Sequence, residues 1–286
     1  MGTFGVCTPA FAQDPSAQLD LISTTKGLLP PRMTTTQRDA INSPAEGLVV
    51  FNTTDNALNV YNGSQWEAVG ASNNNAPVAG AVYDAEGLVY LPVRSRVTGK
   101  VWLDRNLGAT RVAQSSTDHL AYGDLYQWGR KADGHQKITW SSNIEGTGVA
   151  STTIRADTPN HALLIGGYDD WRDTQDDTLW SGEYALNNPC PAGYRLPTEA
   201  EWNAERTGWD TQNAAGGFAS DLKLTKSGFR YQNISSLNIT HVSNYGRFWT
   251  SSTNSTFARV LRTSVNSVDM FDNPRAQGAC VRCIKE

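Results

Sequence analysis

Arg195-Leu-Pro-Thr-Glu-Ala-Glu-Trp202, with Cys190-Pro191 just before it, is followed by Tyr245-Gly-Arg-Phe-Trp-Thr-Ser-Ser252 and then by Gly278-Ala-Cys-Val-Arg-Cys-Ile284. Each piece is ordinary alone; in this order they form a specific constellation. Thr198-Glu-Ala-Glu201 is a capping box: the Thr198 hydroxyl accepts from the Glu201 N–H, and the Glu201 carboxylate reaches back. Pro197 sets the entry, Glu199 and Glu201 lie at the positive end of the helix dipole, and Trp202 is expected as a core anchor. Residues two apart on a helix do not face one another, so the two carboxylates are not read as an acid–base pair. Phe248-Trp249 reads as a strand with an aromatic core face, anchored by Trp249, and the hydroxyls after it are expected to bond local backbone. A nucleophile needs a base within hydrogen-bond reach and a group that orients it. No Gly-x-Ser-x-Gly elbow is present, and no residue is assigned to catalysis.

Composition narrows the function further. The chain has 286 residues, 39% hydrophobic and 18% charged, with a net charge of −4. That length is consistent with two or three domains. No basic run occurs, so nucleic acid is not an expected partner. No stretch approaches the length of a membrane span, and membrane insertion is not expected. The cysteines are Cys7, Cys190, Cys280 and Cys283. Cys280-x-x-Cys283 suggests a zinc half-site or a redox pair, but no second pair is spaced to complete four zinc ligands. Cys190 and Cys283 read as a structural bridge or as buried thiols. Asp169-Asp170 and Asp176-Asp177 offer oxygen ligands of the kind calcium takes, and read as a solvated loop. Neither a metal nor a cofactor is expected.

Along the chain, residues 1–13 end Pro9-Ala10-Phe11-Ala12-Gln13, like the Ala-x-Ala end of a secretory signal, but lack a basic start. They read as a signal-like stretch or as a segment that docks on a neighbouring chain. Residues 14–70 form a first unit. Thr34-x-x-Gln37 is a capping-box pattern with a short helix expected through Ile41. Three strand-like runs follow, 47–51, 57–61 and 65–69, and Asn62-Gly63 between the last two is a strong hairpin signal. So small a unit is marginal alone and more plausible wound against copies of itself. Residues 71–80 are small, polar and turn-forming, a linker by composition. Residues 81–286 read as one loop-rich domain with a hairpin over 82–90, a strand over 101–107, a helix over 198–206, and strands over 248–252, 257–263, 265–271 and 279–284. The fold class is α+β, with short strands, few helices and long ordered loops.

Two resemblances add to this. Asp14-Pro-Ser-Ala-Gln-Leu-Asp-Leu21, Ser23-Thr-Thr-Lys-Gly-Leu-Leu-Pro-Pro-Arg-Met33, Thr36-Gln-Arg-Asp-Ala-Ile41 and Tyr61-Asn-Gly-Ser-Gln-Trp66 resemble a recurring module of phage tail fibres and bacterial surface proteins. The resemblance implies an attachment and trimerisation role. Cys190-Pro-Ala-Gly-Tyr-Arg-Leu-Pro-Thr-Glu-Ala-Glu-Trp202, Gly246-Arg-Phe-Trp-Thr-Ser-Ser252 and Val281-Arg-Cys-Ile284 resemble a bacterial and phage branch of the C-type lectin-like fold. That branch includes the Fibrobacter major paralogous domain and receptor-binding proteins varied by diversity-generating retroelements. Trp102-Leu-Asp-Arg-Asn-Leu-Gly108 and Tyr122-Gly-Asp-Leu-Tyr-Gln-Trp128 match its front half. The formylglycine-generating enzyme shares the Leu-Pro-Thr-Glu-Ala-Glu-Trp stretch, but its Gly-Phe-Arg-Cys ending is absent here, so its activity is not carried over. The motifs of calcium-dependent lectins are absent as well.

In the retroelement-varied relatives the diverse residues lie between the Trp-Ser-Ser strand and the final strand, here residues 247–277. The resemblance therefore implies a receptor-binding surface made by Arg247, Phe257, Arg259, Arg262, Ser264, Asn266, Asp269, Phe271, Asn273 and Gln277. Aromatics and Arg are the usual anchors of such surfaces. Alternation does not decide which of Ala258, Val260 and Leu261 faces inward, nor whether Phe257 and Phe271 are core. The expected function is a homotrimeric phage tail-fibre adhesin on the virion. It would contact other tail proteins through the N-terminal segment and bind a host cell-surface protein or glycan through residues 81–286. It is not expected to be an enzyme. The alternatives are a secreted or surface-anchored bacterial adhesin, a tail glycosidase, which needs two carboxylates at a set separation, and a purely structural fibre protein.

Overall fold

The structure, a computed structural model, describes residues 25–54, 57–69, 80–232 and 239–286. The N-terminal segment 1–13, the start of the module and residues 71–79 of the linker lie outside the described residues. The chain divides into two units, Met1–Ala76 and Pro77–Glu286. Among the described residues no helix is long and apolar enough to cross a membrane.

The first unit contains β1 (Arg32–Met33), α1 (Thr35–Asp39), β2 (Val49–Asn52), β3 (Ala57–Tyr61) and β4 (Trp66–Val69). Its strands form one sheet in the order β1-β2-β3-β4, with β1 parallel to β2 and the rest antiparallel. The capping box forms: Gln37 N–H donates to Thr34 Oγ1, and Gln37 Oε1 accepts from Thr34 N–H at 2.9 Å. The helix ends at Asp39, two residues before Ile41, whose N–H instead closes a tighter turn onto the Arg38 carbonyl. The β3–β4 connection is a four-residue loop. Asn62 Oδ1 accepts from the N–H groups of Ser64 and Gln65, and Gly63 supplies a φ of +91°, which only Gly adopts without strain. The sheet is pinned by polar groups as much as apolar ones. Asn52 Nδ2 and Arg38 Nη1 both donate to Asn59 Oδ1, at 3.1 and 2.6 Å.

The second unit holds β5 (Val82–Tyr83), β6 (Val89–Tyr90), β7 (Pro92–Arg94), β8 (Val101–Leu103), β9 (Tyr126–Gln127), β10 (Ile138–Trp140), β11 (Gly146–Gly148), β12 (Ser151–Thr152), β13 (Leu164–Ile165) and β14 (Tyr194–Arg195). Then come the helices α2 (Glu199–Arg206) and α3 (Ala214–Ala219), followed by β15 (Gly246–Asn254), β16 (Phe257–Thr263), β17 (Val268–Pro274), β18 (Gly278–Ala279) and β19 (Ile284–Lys285). These make a four-stranded sheet β14-β19-β8-β7, a three-stranded sheet β15-β16-β17, and two-stranded pairs β5-β6, β10-β11, β12-β13 and β18-β9. Mostly short strands, few helices and several small sheets agree with the expected composition of the fold. The expected strand over 101–107 stops at Leu103. The one expected over 265–271 begins at Val268, because Ser264–Ser267 is a turn closed by Ser264 Oγ accepting from the N–H groups of Asn266 and Ser267. The one over 279–284 is split between β18 and β19.

The β15-β16-β17 sheet is buried on both faces. One face packs Trp249, Ala258 and Val260 against Leu103, Trp128 and Trp180. The other packs Phe248, Leu261 and Val268 against Trp102, Trp202 and Leu222. Period-2 alternation is erased in a strand covered on both sides, which is why Ala258, Val260 and Leu261 are all fully buried. Trp202 and Trp249 are also fully buried. A disulfide joins Cys190, just before β14, to Cys283, just before β19. Cys280 is a free, buried thiol whose pKa burial pushes up to about 12.

At the start of α2 the capping box forms, with Glu201 N–H donating to Thr198 Oγ1 at 3.2 Å and Thr198 N–H donating to Glu201 Oε2 at 2.8 Å. Ser252 of β15 adds a second cap, its Oγ accepting from Glu199 N–H at 3.0 Å. The two helix carboxylates have different partners: Glu201 binds Arg195, and Glu199 binds Arg259.

Candidate binding face

Six of the ten expected contact residues come together. Strand pairing sets Arg247 opposite Arg262, Arg262 opposite Asp269, and Phe271 opposite Val260. All therefore share one face of the sheet. Arg262 grips Asp269 with two hydrogen bonds, at 2.9 and 2.6 Å, and its guanidinium lies 4.2 Å from the centre of the Phe271 ring. Beneath it Arg247 is buried, 3.3 Å from the centre of the Phe229 ring and 5.5 Å from that of Phe271. Its Nη1 donates to Asn273 Oδ1 and Gln277 Oε1, while its Nε has no partner among the described residues. Burial lowers the Arg247 pKa to about 10.

The amide chain continues outward. Gln277 Nε2 donates to Gln232 Oε1 at 2.7 Å, and Gln232 Nε2 approaches Asp169 Oδ1 at 3.5 Å. Gln232 and Asp169 line an open cleft of about 470 Å³ with Gly167, Tyr168 and Tyr231. Tyr168 and Tyr231 are 44% and 48% exposed. The Arg155 guanidinium lies 4.6 Å from the centre of the Tyr168 ring, and Tyr231 packs edge-on against Phe229 at 5.0 Å. The result is a polar relay from a buried cation to the floor of a shallow cleft, with two aromatic rings at its sides. Such a surface presents rigid aromatic area together with aligned donors and acceptors, the combination that anchors a polar partner at low entropic cost.

The structure places the expected residues in three different settings. Arg247, Asn273 and Gln277 are buried, with Arg247 Nη1 shared between the two amide oxygens beside the Phe229 and Phe271 rings. Phe257 and Arg259 lie on the opposite face, where Arg259 is clamped by Glu199 and Asp272. Ser264 and Asn266 sit in the β16–β17 turn beside α3, with the Ser264 carbonyl accepting from Ala214 N–H. The window 247–277 is therefore not one surface. The sequence reading did not single out Tyr168, Tyr231 or Gln232, and took Asp169 as a calcium-type ligand or a solvated loop carboxylate. The available signal was the pairing of a tyrosine with a polar side chain in Tyr168-Asp169 and Tyr231-Gln232. In the other acidic stretch, Asp177 pairs with Arg275, and Asp176 accepts from Thr178. Among the described residues no group of three or more His, Cys, Asp or Glu is placed to hold a metal ion.

No curated protein and no solved structure matches this chain. Residues 5–79 match a family model described as a phage tail like trimerisation region. That match begins inside the segment 1–13 and ends within the linker, and by it the N-terminal part of the chain is a phage tail-like trimerisation region.

Proposed function

We propose that the protein is a homotrimeric phage tail-fibre adhesin. Its second unit, on a C-type lectin-like scaffold, binds a host cell-surface protein or glycan and performs no chemistry on it. The trimerisation region supports a place on the virion tail, where residues 1–13 would meet other tail proteins. The observation that carries the binding assignment is the cleft at Tyr168, Asp169, Tyr231 and Gln232, backed by the buried Arg247–Gln277 relay, which also underlies Arg262, Asp269 and Phe271 on the sheet.

The test is adsorption of labelled full-length protein to bacterial cells that it adheres to. Tyr231→Ala, Arg262→Ala and Phe271→Ala should each weaken adsorption, with the strongest about tenfold or more. Tyr231→Ala should keep a melting temperature close to that of the parent, since the side chain is 48% exposed, while Phe271→Ala gives up packing and Arg262→Ala its pair with Asp269, so adsorption of those two is compared well below their own melting temperatures. Arg259→Ala is the contrast on the opposite face: it breaks contacts to two carboxylates, should cost about 1–3 kcal/mol of stability, and should leave adsorption of the folded protein unchanged. Unchanged adsorption in all three face variants would overturn the assignment, and release of sugar from host polysaccharide would overturn the non-catalytic reading.

A further inference from the structure

The sheet of the first unit has two faces of opposite character. Residues paired across neighbouring strands stand on the same face, and successive residues on opposite faces. Val50, Asn52, Asn59, Tyr61 and Trp66 therefore share one face, and Val49, Phe51, Leu58 and Val60 share the other. The first face is the covered one, and α1 lies on it. Arg38 Nη1 donates to Asn59 Oδ1, the Arg38 guanidinium lies 5.8 Å from the centre of the Trp66 ring, and Asn52 Nδ2 donates to Thr35 Oγ1 at 2.9 Å. Two of the three side chains fully buried there, Asn52 and Asn59, are nevertheless polar. The second face is apolar across β2 and β3, and it is open: Val49 is 39% and Leu58 37% exposed, and Phe51 and Val60 are half-buried.

A sheet with one wet side turns its apolar residues to the core and its polar residues to water. Here the asparagines lie under the helix and the aliphatic residues face outward. A contiguous apolar face of this kind marks a contact surface.

Charge at its edges indicates what covers it. Arg32 of β1 pairs with Phe51 and Glu67 of β4 pairs with Val60, so both stand on the open face, on the two outer strands. Both are exposed, and Asn62 Nδ2 holds the Glu67 carboxylate at 2.7 Å. In a ring of three identical chains each contact is heterologous, one edge of a copy meeting the opposite edge of the next. Arg32 of each copy then meets Glu67 of its neighbour, cation against anion, at all three contacts. The sheet also lies within residues 5–79, which match the trimerisation region.

We propose that the Val49, Phe51, Leu58 and Val60 face is the surface by which three copies of this chain assemble, faces inward about a threefold axis, with Arg32 and Glu67 of adjacent copies paired at the edges. The proposal rests on the homotrimer reading and adds the surface and the arrangement to it.

The test compares full-length parent and variants by sedimentation equilibrium, with far-UV circular dichroism reporting that each is folded. The parent should be a trimer. Val49→Lys and Leu58→Lys place a charge where a single copy can expose it but an assembled face must bury it. Each should raise the concentration of half-dissociation by at least about tenfold. Thr36→Lys makes the same change at an exposed position on α1 and should leave assembly unaltered. Where a lysine variant does not fold, Leu58→Thr, which suits a strand, should weaken assembly in the same direction. Arg32→Glu sets like charges together and should weaken assembly several-fold, and adding Glu67→Arg should restore it. Trimers of parental stability in the Val49 and Leu58 variants would overturn the proposal while leaving the homotrimer reading intact; if those variants also melted lower, the face would be covered from within the chain. A monomeric parent would overturn both. Failure of the double charge reversal to restore assembly would overturn the edge-to-edge arrangement.

Discussion

At the scale of single residues, His135 is the group whose charge the second unit does not accommodate. Its ring is fully buried. Nε2 accepts from Gln127 N–H at 3.0 Å and Nδ1 faces Asp133 Oδ1 at 2.8 Å, a pattern that places the single proton of the neutral ring on Nδ1. Burial holds the His135 pKa down to about 4, with the Arg130 charge adding to the effect against the pull of Asp133. An unfolded imidazole takes up its proton near 6.5. Between those values the unfolded chain binds more protons than the folded one, so His135 removes stability as the pH falls from 6.5 toward 4. Asp124 has the opposite sign: burial raises its carboxyl to about 6, so the folded chain protonates first and acidification relieves a cost. The two shifts are similar in size and opposite in sign, so they largely cancel in the parent. His135→Gln removes the loss and keeps the Asp124 gain, so urea titrations from about pH 6.5 to about 4.5 should show the variant gaining on the order of 1–3 kcal/mol relative to the parent as the pH falls. Parallel curves for variant and parent would show that His135 is not the responsible group.

At the scale of elements, α2 is held from two directions. Thr198 caps it from within its own sequence, and Ser252 caps it from β15. Thr198→Ala should cost about 1 kcal/mol, and Ser252→Ala should cost less, since the N–H that it serves lies in the first turn, where water can replace it. Equal costs in chemical denaturation would mean that the second cap carries as much as the first. The pair also shows what was legible. The Thr198 box spans four consecutive residues, so its geometry is written in local sequence, as is the Thr34 box. The Ser252 contact joins residues 53 apart, and nothing local announces it. The same distinction runs through the binding face. The strand Phe257–Thr263 was readable from composition, but its two inner faces were not, because each is covered by residues from distant segments. The cleft brings together residues 167–169 and 231–232, joined by Gly167 N–H donating to the Gln232 carbonyl at 2.7 Å, a contact between segments more than sixty residues apart that nothing local announces. The resemblance implies contact roles for Arg247, Asn273 and Gln277, but the chemistry that makes such residues good anchors also makes them good mutual partners, and the fold buries them.

At the scale of the whole molecule, the two units differ in what they can do alone. Among the described residues of the first unit, Val50 is the one buried large apolar side chain; its other fully buried side chains, Asn52 and Asn59, are polar, while Leu28 and Leu29 are 73% and 71% exposed. A unit with so little core of its own gains stability by assembling, in keeping with its match to a trimerisation region. The second unit has two large clusters of buried aromatic and aliphatic residues and a disulfide, and has the means to fold by itself. On the adhesin reading, the first unit multiplies binding without touching the receptor: three weak faces on one particle convert later contacts into intramolecular ones. The full chain should therefore sediment at three times its 31.1 kDa mass. A fragment of residues 80–286 should sediment as a monomer, melt at a temperature close to that of the same unit in the full chain, and bind soluble receptor with the same single-site affinity. Its adsorption to cells should fall by about 100-fold or more. If the fragment adsorbs as tightly as the full chain, avidity is not the role of the first unit. If it fails to fold, the second unit depends on the trimer for its stability, and the separation of roles between the units is wrong.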